Sequence, residues 1–321
     1  MDKSNWIIAG TRNAEDFLSI GSNLLAEGGS SIDAVEHVIR AVESNPLDLS
    51  VGYNGFPNLL GDVELDASIM IGSNLKAGAV AGIKNFTHPI SIARKILELS
   101  PHVLLVGEGA DRFAQSVGFE KESLLEPRIQ QLYENTMKGK PLLDNFIAPK
   151  EIQQIAWRYD KYIEEQLKSF DFKGWYDKLS HKYHGTVNVI ALDQNNEMCS
   201  GVSTSGLALK FPGRAGDSPI IGAGNYCDRE YGAATCVGTG ELAIRLHLAG
   251  KTVDRMRSMN INDAVQDGIK DVLRLNEKGV IQIIAMDKNG TASACSNSTL
   301  HFVQASSEHP ETHRINTLNI N

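Results

Sequence analysis

A Lys- and Asp-dotted stretch ends at His184, and Gly185-Thr186-Val187-Asn188-Val189-Ile190-Ala191-Leu192-Asp193 then runs straight into a strand pattern whose first residue is Thr186. This junction constrains the chain more than any other. A Gly-Thr bond before a strand has two readings. The plain one is a turn that enters a β-strand. The other is a bond that the chain cuts itself, because glycine tolerates the backbone that brings a neighbouring hydroxyl onto its carbonyl. After such a cut Thr186 would hold both a nucleophilic hydroxyl and a free α-amine. A terminal amine titrates at roughly 7.7–8.0, so part of it is neutral near physiological pH and can accept the hydroxyl proton.

The downstream segments favour the second reading. They are Ser203-Thr204-Ser205-Gly206, Gly213-Arg214-Ala215-Gly216-Asp217-Ser218-Pro219 with Gly222-Ala223-Gly224, and Gly238-Thr239-Gly240-Glu241. In this order they resemble the asparaginase branch of the N-terminal-nucleophile hydrolases: glycosylasparaginase, plant-type asparaginase and isoaspartyl peptidase. Upstream, Gly28–Val35, Ser50-Val51-Gly52-Tyr53, Leu65–Met70 and Leu104–Glu108 extend the resemblance over nearly the whole chain. Ser50–Tyr53, continuing to Gly55-Phe56-Pro57, is closer to the glycosylasparaginase members.

The length of 321 residues suffices for a substantial core. A net charge of -8 argues against a nucleic-acid or anionic-membrane surface. No apolar run reaches transmembrane length, and the opening Met-Asp-Lys-Ser-Asn has no basic region followed by an apolar one, so cytoplasm is the expectation. Cys199, Cys227, Cys236 and Cys295 lie at no metal-ligand spacing and read as buried thiols; no metal or other cofactor is expected.

Along the chain, Ile7–Gly10 reads as a buried strand, and residues 14–27 and 32–43 as helices, the second capped by Ser30 or Ser31. Leu65–Met70 and Ala77–Ala81 read as strands, Pro89–Leu99 as a helix opened by proline, and Val103–Val106 as a further buried strand. From about 120 to 185 the composition turns charged, a linker in which Ile152, Ile155, Tyr159, Ile163 and Leu167 keep helical spacing. Asp171–Tyr183 reads either as a mobile segment that gives the cut room or as an ordinary connection. Val187–Asp193 with Met198–Ser203, and Val280–Asp287 with Thr291–Cys295, form two similar hairpins; Glu241–Leu248 and Asn262–Leu275 look helical. Periodicity stops at α/β or α+β. The resemblance implies a single four-layer αββα sandwich over 1–321, cut into 1–185 and 186–321, and a homodimer of such two-chain protomers.

By resemblance, Thr186 is the nucleophile and Thr204 hydrogen-bonds near it, while Arg214 clamps the substrate α-carboxylate and Asp217 accepts its α-ammonium. A planar guanidinium suits a carboxylate because it can bind both oxygens. The bland alternative for Arg214 and Asp217 is an ion pair within a Gly-rich turn. Counted from Thr186, the oxyanion-hole threonine of the family falls on Val237, leaving the Gly238 N–H and, two residues on, Thr239 as candidate donors. Three further departures are Gly185 where glycosylasparaginases have Asp, Asn188 where a glycine is usual, and Arg12 where a pocket tryptophan stands. The resemblance implies a small-molecule substrate, asparagine or glycosyl-asparagine, with asparaginase or isoaspartyl dipeptidase activity on β-aspartyl dipeptides as a sibling reading. Gly185, Asn188 and Val237 together also support a different class, an uncleaved homologue that serves as a binding or scaffold protein.

Overall fold

A computed structural model describes residues 5–137, 185–275 and 279–320. Two sheets carry the architecture. The first has the order β12-β11-β1-β5-β6-β2-β3-β4, with β1 Ile7–Thr11, β2 Leu65–Ile71, β3 Ala77–Ile83, β4 Leu104–Val106, β5 Val187–Leu192, β6 Met198–Thr204, β11 His301–Ser306 and β12 His313–Asn316. The second has the order β13-β10-β9-β8-β7, with β7 Asn225–Asp228, β8 Gly232–Gly238, β9 Ile281–Asp287, β10 Ala292–Ser296 and β13 Leu318–Asn319. Pairing is antiparallel except at β3–β4 and β10–β13.

Three apolar clusters lie between four layers. One joins the first sheet to α1 Leu18–Ala26, α2 Ser31–Glu43 and α3 Pro89–Leu99. Another joins the second sheet to α6 Gly240–Leu246, α7 Leu248–Arg255 and α8 Ile261–Arg274. The third lies between the sheets and includes Ile190, Leu192, Met198, Ala233, Ile284 and Met286. This is the expected αββα sandwich. Among the described residues no helix is long and apolar enough to cross a membrane.

Local chemistry explains the elements that the pattern anticipates. Ser30 is the residue that caps α2, its Oγ accepting from Asp33 N. Both hairpins close on an aspartate: Asp193 Oδ1 accepts from Asn195 N and Glu197 N, as Asp287 Oδ1 accepts from Asn289 N and Thr291 N. All four cysteines are buried free thiols.

Four expectations are corrected. Val103–Val106 is not buried, because β4 forms the sheet edge and leaves Leu104 40% and Val106 58% exposed. The helix expected over 14–27 begins only at Leu18; a short turn, Arg12–Ala14, precedes it, where Asn13 is tied to Thr11 and Asp48. The helix expected over Glu241–Leu248 breaks at His247, which adopts φ 53 and ψ 48, and α7 Leu248–Arg255 follows. The charged linker from about 120 is in part folded body: α5 Pro127–Met137, which follows α4 Gly107–Ser116, is anchored by buried Ile129 and by Tyr133 Oη donating to Leu59 O at 3.0 Å. The helix expected around Ile152–Leu167 and the segment Asp171–Tyr183 lie outside the described residues.

The contact of α3 with β3 supplies a test of this packing. A Cβ at Gly78 would sit 1.9 Å from Ala93 O and 2.7 Å from Leu97 N, both backbone atoms of α3. Gly78→Ala should therefore destabilise the protein by about 1–3 kcal/mol, seen as a Tm lower by roughly 2–10 °C. Gly109→Ala, at an exposed position of α4 with nothing within 4 Å, is the control and should leave the Tm unchanged or raised.

Candidate active site

Strand alternation places the site. On β5, Val187, Val189 and Ala191 belong to the helix-side cluster, whereas Ile190 and Leu192 face the other sheet. Thr186 shares the parity of Ile190 and so stands on the inter-sheet face, at the strand end where the gap opens. By the same count Val237 follows Ala233 on β8, and Gln282 precedes Ile284 on β9. Thr186, Val237 and Gln282 accordingly line one cleft of about 800 Å³, with Gly185, Thr11, Arg12, Asp48 and Ser50.

The junction itself is held from two sides. Thr204 Oγ1 donates to Gly185 O at 2.6 Å and accepts from Gly206 N at 2.9 Å. A Cβ on residue 185 would lie 2.1 Å from Ser50 Oγ, so a side chain there would displace Ser50. Ser50 is itself fixed, its Oγ and N both donating to Asp48 Oδ1 at 2.6 and 2.9 Å. Asp48 Oδ2 accepts from Asn13 Nδ2, Asn13 Oδ1 accepts from Thr11 Oγ1, and Thr11 Oγ1 accepts from Asn188 N. A continuous run of hydrogen bonds thus ties the N-terminal segment to the start of β5. Its members Thr11, Asn13 and Asp48 were not singled out from the sequence; their only signal is polarity beside strand ends.

Arg214 and Asp217 stand apart from this cleft lining. Arg214 pairs with Glu241, whose Oε1 accepts from Nε at 3.0 Å and Nη2 at 2.8 Å, so the bland alternative of an Arg214–Asp217 ion pair is not what the loop forms. Arg214 Nη1 lies 3.1 Å from where a Cβ on Gly206 would be, one residue contact from Thr204. Asp217 is 5% exposed, and its Oδ2 has no hydrogen-bond partner. Burial pushes its carboxyl up to about 7, against the opposing pull of its backbone hydrogen bond and Arg214. Gly224 and Gly240 pack closely against it, since a Cβ on either would fall within 3 Å of a carboxylate oxygen. A buried carboxylate with an oxygen unpartnered is costly to hold ionised.

Gly238 has φ +131, and a Cβ there would meet Val280 O at 2.1 Å, so only glycine fits. Thr239 N donates to Val280 O at 2.8 Å and Cys236 N to Gly224 O at 2.9 Å. By antiparallel alternation the Gly238 N–H turns to the same side as that of Cys236, toward Gly224 and Asp217. The Thr239 hydroxyl is buried without a partner, 2.8 Å from where a Cβ on Gly279 would stand, and Thr239 is absent from the cleft wall. Asn188 is fully buried, its Nδ2 donating across the gap to Cys236 O at 2.9 Å. No cluster of metal-ligating side chains occurs among the described residues.

The family profile described as Asparaginase matches residues 4–315. The plant-type L-asparaginase of Pyrococcus horikoshii is 38% identical over 291 residues, covering 88% of this chain and 86% of that one. The N(4)-(Beta-N-acetylglucosaminyl)-L-asparaginase of Elizabethkingia miricola is 36% identical over 281 residues, covering 84% and 72%. The plant-type L-asparaginase of Thermococcus kodakarensis is 35% identical over 288 residues, covering 88% and 86%.

Asp217 generates a prediction with two signs. Its pKa is raised from the ordinary 3.8 to about 7, so the free protein holds this proton more tightly than the unfolded chain does. Its contribution to stability therefore falls as pH rises from 3.8 through about 7. Holding a substrate α-ammonium, the role expected of Asp217, runs the other way, because it needs the carboxylate. The KM for asparagine should fall as pH rises toward about 7 and level off above. Asp217→Asn should abolish that inflection, raise KM at neutral pH and raise the Tm of the free protein. An inflection that survives the substitution belongs to another group.

Proposed function

The chain belongs to the asparaginase family, and from that premise we propose that it is a self-processing N-terminal-threonine amidohydrolase acting on the side-chain amide of asparagine or glycosyl-asparagine. The observation that carries the reading is the junction: the Gly185 carbonyl accepts a 2.6 Å hydrogen bond from Thr204 Oγ1, and Thr186 follows it at the mouth of the inter-sheet gap. In the precursor, Thr186 Oγ1 attacks the Gly185 carbonyl carbon, which the Thr204 hydroxyl polarises. The peptide C–N bond breaks as the Thr186 nitrogen takes the hydroxyl proton, which leaves an ester between the Gly185 carbonyl and Thr186 Oγ1, and water hydrolyses the ester. The four-layer unit then consists of 1–185 and 186–321, and Thr186 has a free amine.

On substrate, that amine takes the hydroxyl proton and Oγ1 attacks the amide carbonyl. The Gly238 N–H supports the oxyanion. The proton passes to the departing nitrogen, and water releases aspartate from the Thr186 ester. Arg214 exchanges Glu241 for the substrate α-carboxylate, and Asp217 receives the α-ammonium. Arg214 already holds one carboxylate and Asp217 lacks a partner for Oδ2, so each group suits one end of a zwitterionic amino acid. Ser50–Tyr53 supports a glycosylated leaving group, whereas Arg12 on the cleft wall supports a different one.

Denaturing electrophoresis of the purified protein should show two fragments, and sequencing of the smaller should begin Thr-Val-Asn-Val. Thr186→Ala should leave one intact, inactive chain. Cleavage that survives this change overturns the assignment. A wild-type chain that stays intact would favour the uncleaved binding protein to which the missing hydroxyl of Val237 points.

Val237 also gives a graded test. It is half-buried on the cleft wall, on the face that Thr186 shares, so a hydroxyl added there can keep water as a partner in the free enzyme. Val237→Thr should raise kcat by up to about a hundredfold, the usual worth of one oxyanion donor. An unchanged kcat at unchanged Tm would place Val237 outside the oxyanion hole.

A further inference from the structure

The charged side chains of the cleft are nearly all committed. Glu15 accepts from Arg314 Nε at 2.7 and 2.9 Å, with His301 Nε2 at 3.8 Å. Asp48 is taken by Ser50 and Asn13, and exposed Asp16 acts on Arg314. Arg12 differs. Its exposed guanidinium makes no hydrogen bond or ion pair with any described residue, yet it lines the cleft that holds Thr186. Its backbone is not free to wander, because Thr11 before it is bonded to Asn188 N and Asn13 after it to Asp48. The site therefore presents an unpaired guanidinium on an anchored backbone, on a wall that Arg214 and Asp217, which the amino-acid part of the substrate would engage, do not line.

We propose that Arg12 is a specificity-determining residue on the leaving-group side, selecting amides whose departing amine carries a carboxylate; this rests on the amidohydrolase reading above. Arg12 binds both oxygens of that carboxylate while Thr186 Oγ1 bonds to the amide carbon. The C–N bond breaks, and the departing nitrogen takes the proton lent by the Thr186 ammonium. Water completes the cycle, with no further reactant. A neutral leaving group, such as a glycosylamine or ammonia, gains nothing from Arg12.

The test compares kcat/KM for β-aspartylglycine and β-aspartylglycinamide, which differ only in the charge of the leaving amine. The wild-type ratio should be roughly ten- to a hundredfold in favour of the charged substrate, as a charge-assisted, two-pronged contact provides. Arg12→Ala should bring the ratio to about one, and Arg12→Lys should leave an intermediate value because charge remains without the fork. A wild-type ratio near one, or a ratio that Arg12→Ala leaves unchanged, overturns the inference while hydrolysis itself upholds the amidohydrolase reading. Hydrolysis of neither substrate, nor of asparagine, overturns both.

Discussion

The site depends on the two-residue alternation of one strand held between two sheets. Because β5 lies in the interior of the first sheet, flanked by β1 and β6, its register is fixed on both edges. A slip of one residue would send Thr186 to the helix side and the apolar Val187 into the gap. The same alternation selects Thr204 on β6, Thr11 on β1, Val237 on β8 and Gln282 on β9. Five strands thus deliver chemistry to one opening although their residues lie far apart in sequence. The apolar layer between the sheets positions the cleft by ending where Thr186 begins.

Electrostatics adds a second constraint, in which local stability is given up for readiness. Asp217 is buried with an oxygen unpartnered, a state that burial alone would remove by protonation. Arg214 is held by Glu241, and its Nη1 lies beside Gly206 and Gly216. The unsatisfied charge of the free protein is therefore that of Asp217 alone, since Arg214 already has Glu241 as its partner.

What the sequence discloses is what is local. Each hairpin announces itself by alternation broken at an aspartate turn, and Asp193 and Asp287 perform that turn in the same way. α2 and α3 are legible from capping serine and opening proline. The opposite wall of the cleft is not legible, since Gln282, His301 and Arg314 reach it only through strand pairing across the chain. His247 was hidden for a similar reason: its left-handed backbone is accommodated by Gly222 and Gly250, which leave room for its ring. Val103–Val106 misled because an apolar run says that a strand will form, not whether a neighbour will cover it.

Asn188 shows why a departure from a family pattern is best weighed in place. A side chain added two residues from Thr186 reads as an obstruction, yet it does not enter the cleft. Its Nδ2 reaches Cys236 O on the facing sheet, next to Val237, and its own N–H is capped by Thr11. One residue therefore joins β5 to β8 and β1 two positions from Thr186. A polar tie across the gap, like the one Asn225 makes to Ser68 and Ser200 farther along it, fixes separation more sharply than dispersion does, because hydrogen bonds weaken steeply off their geometry. The distance from Thr186 to Val237, and so to any donor at Val237 or Gly238, is set in part by this amide. Its Oδ1, buried and unpartnered, is the cost of that tie. A smaller residue at 188 would remove the cost and also loosen the two walls between which the chemistry must occur.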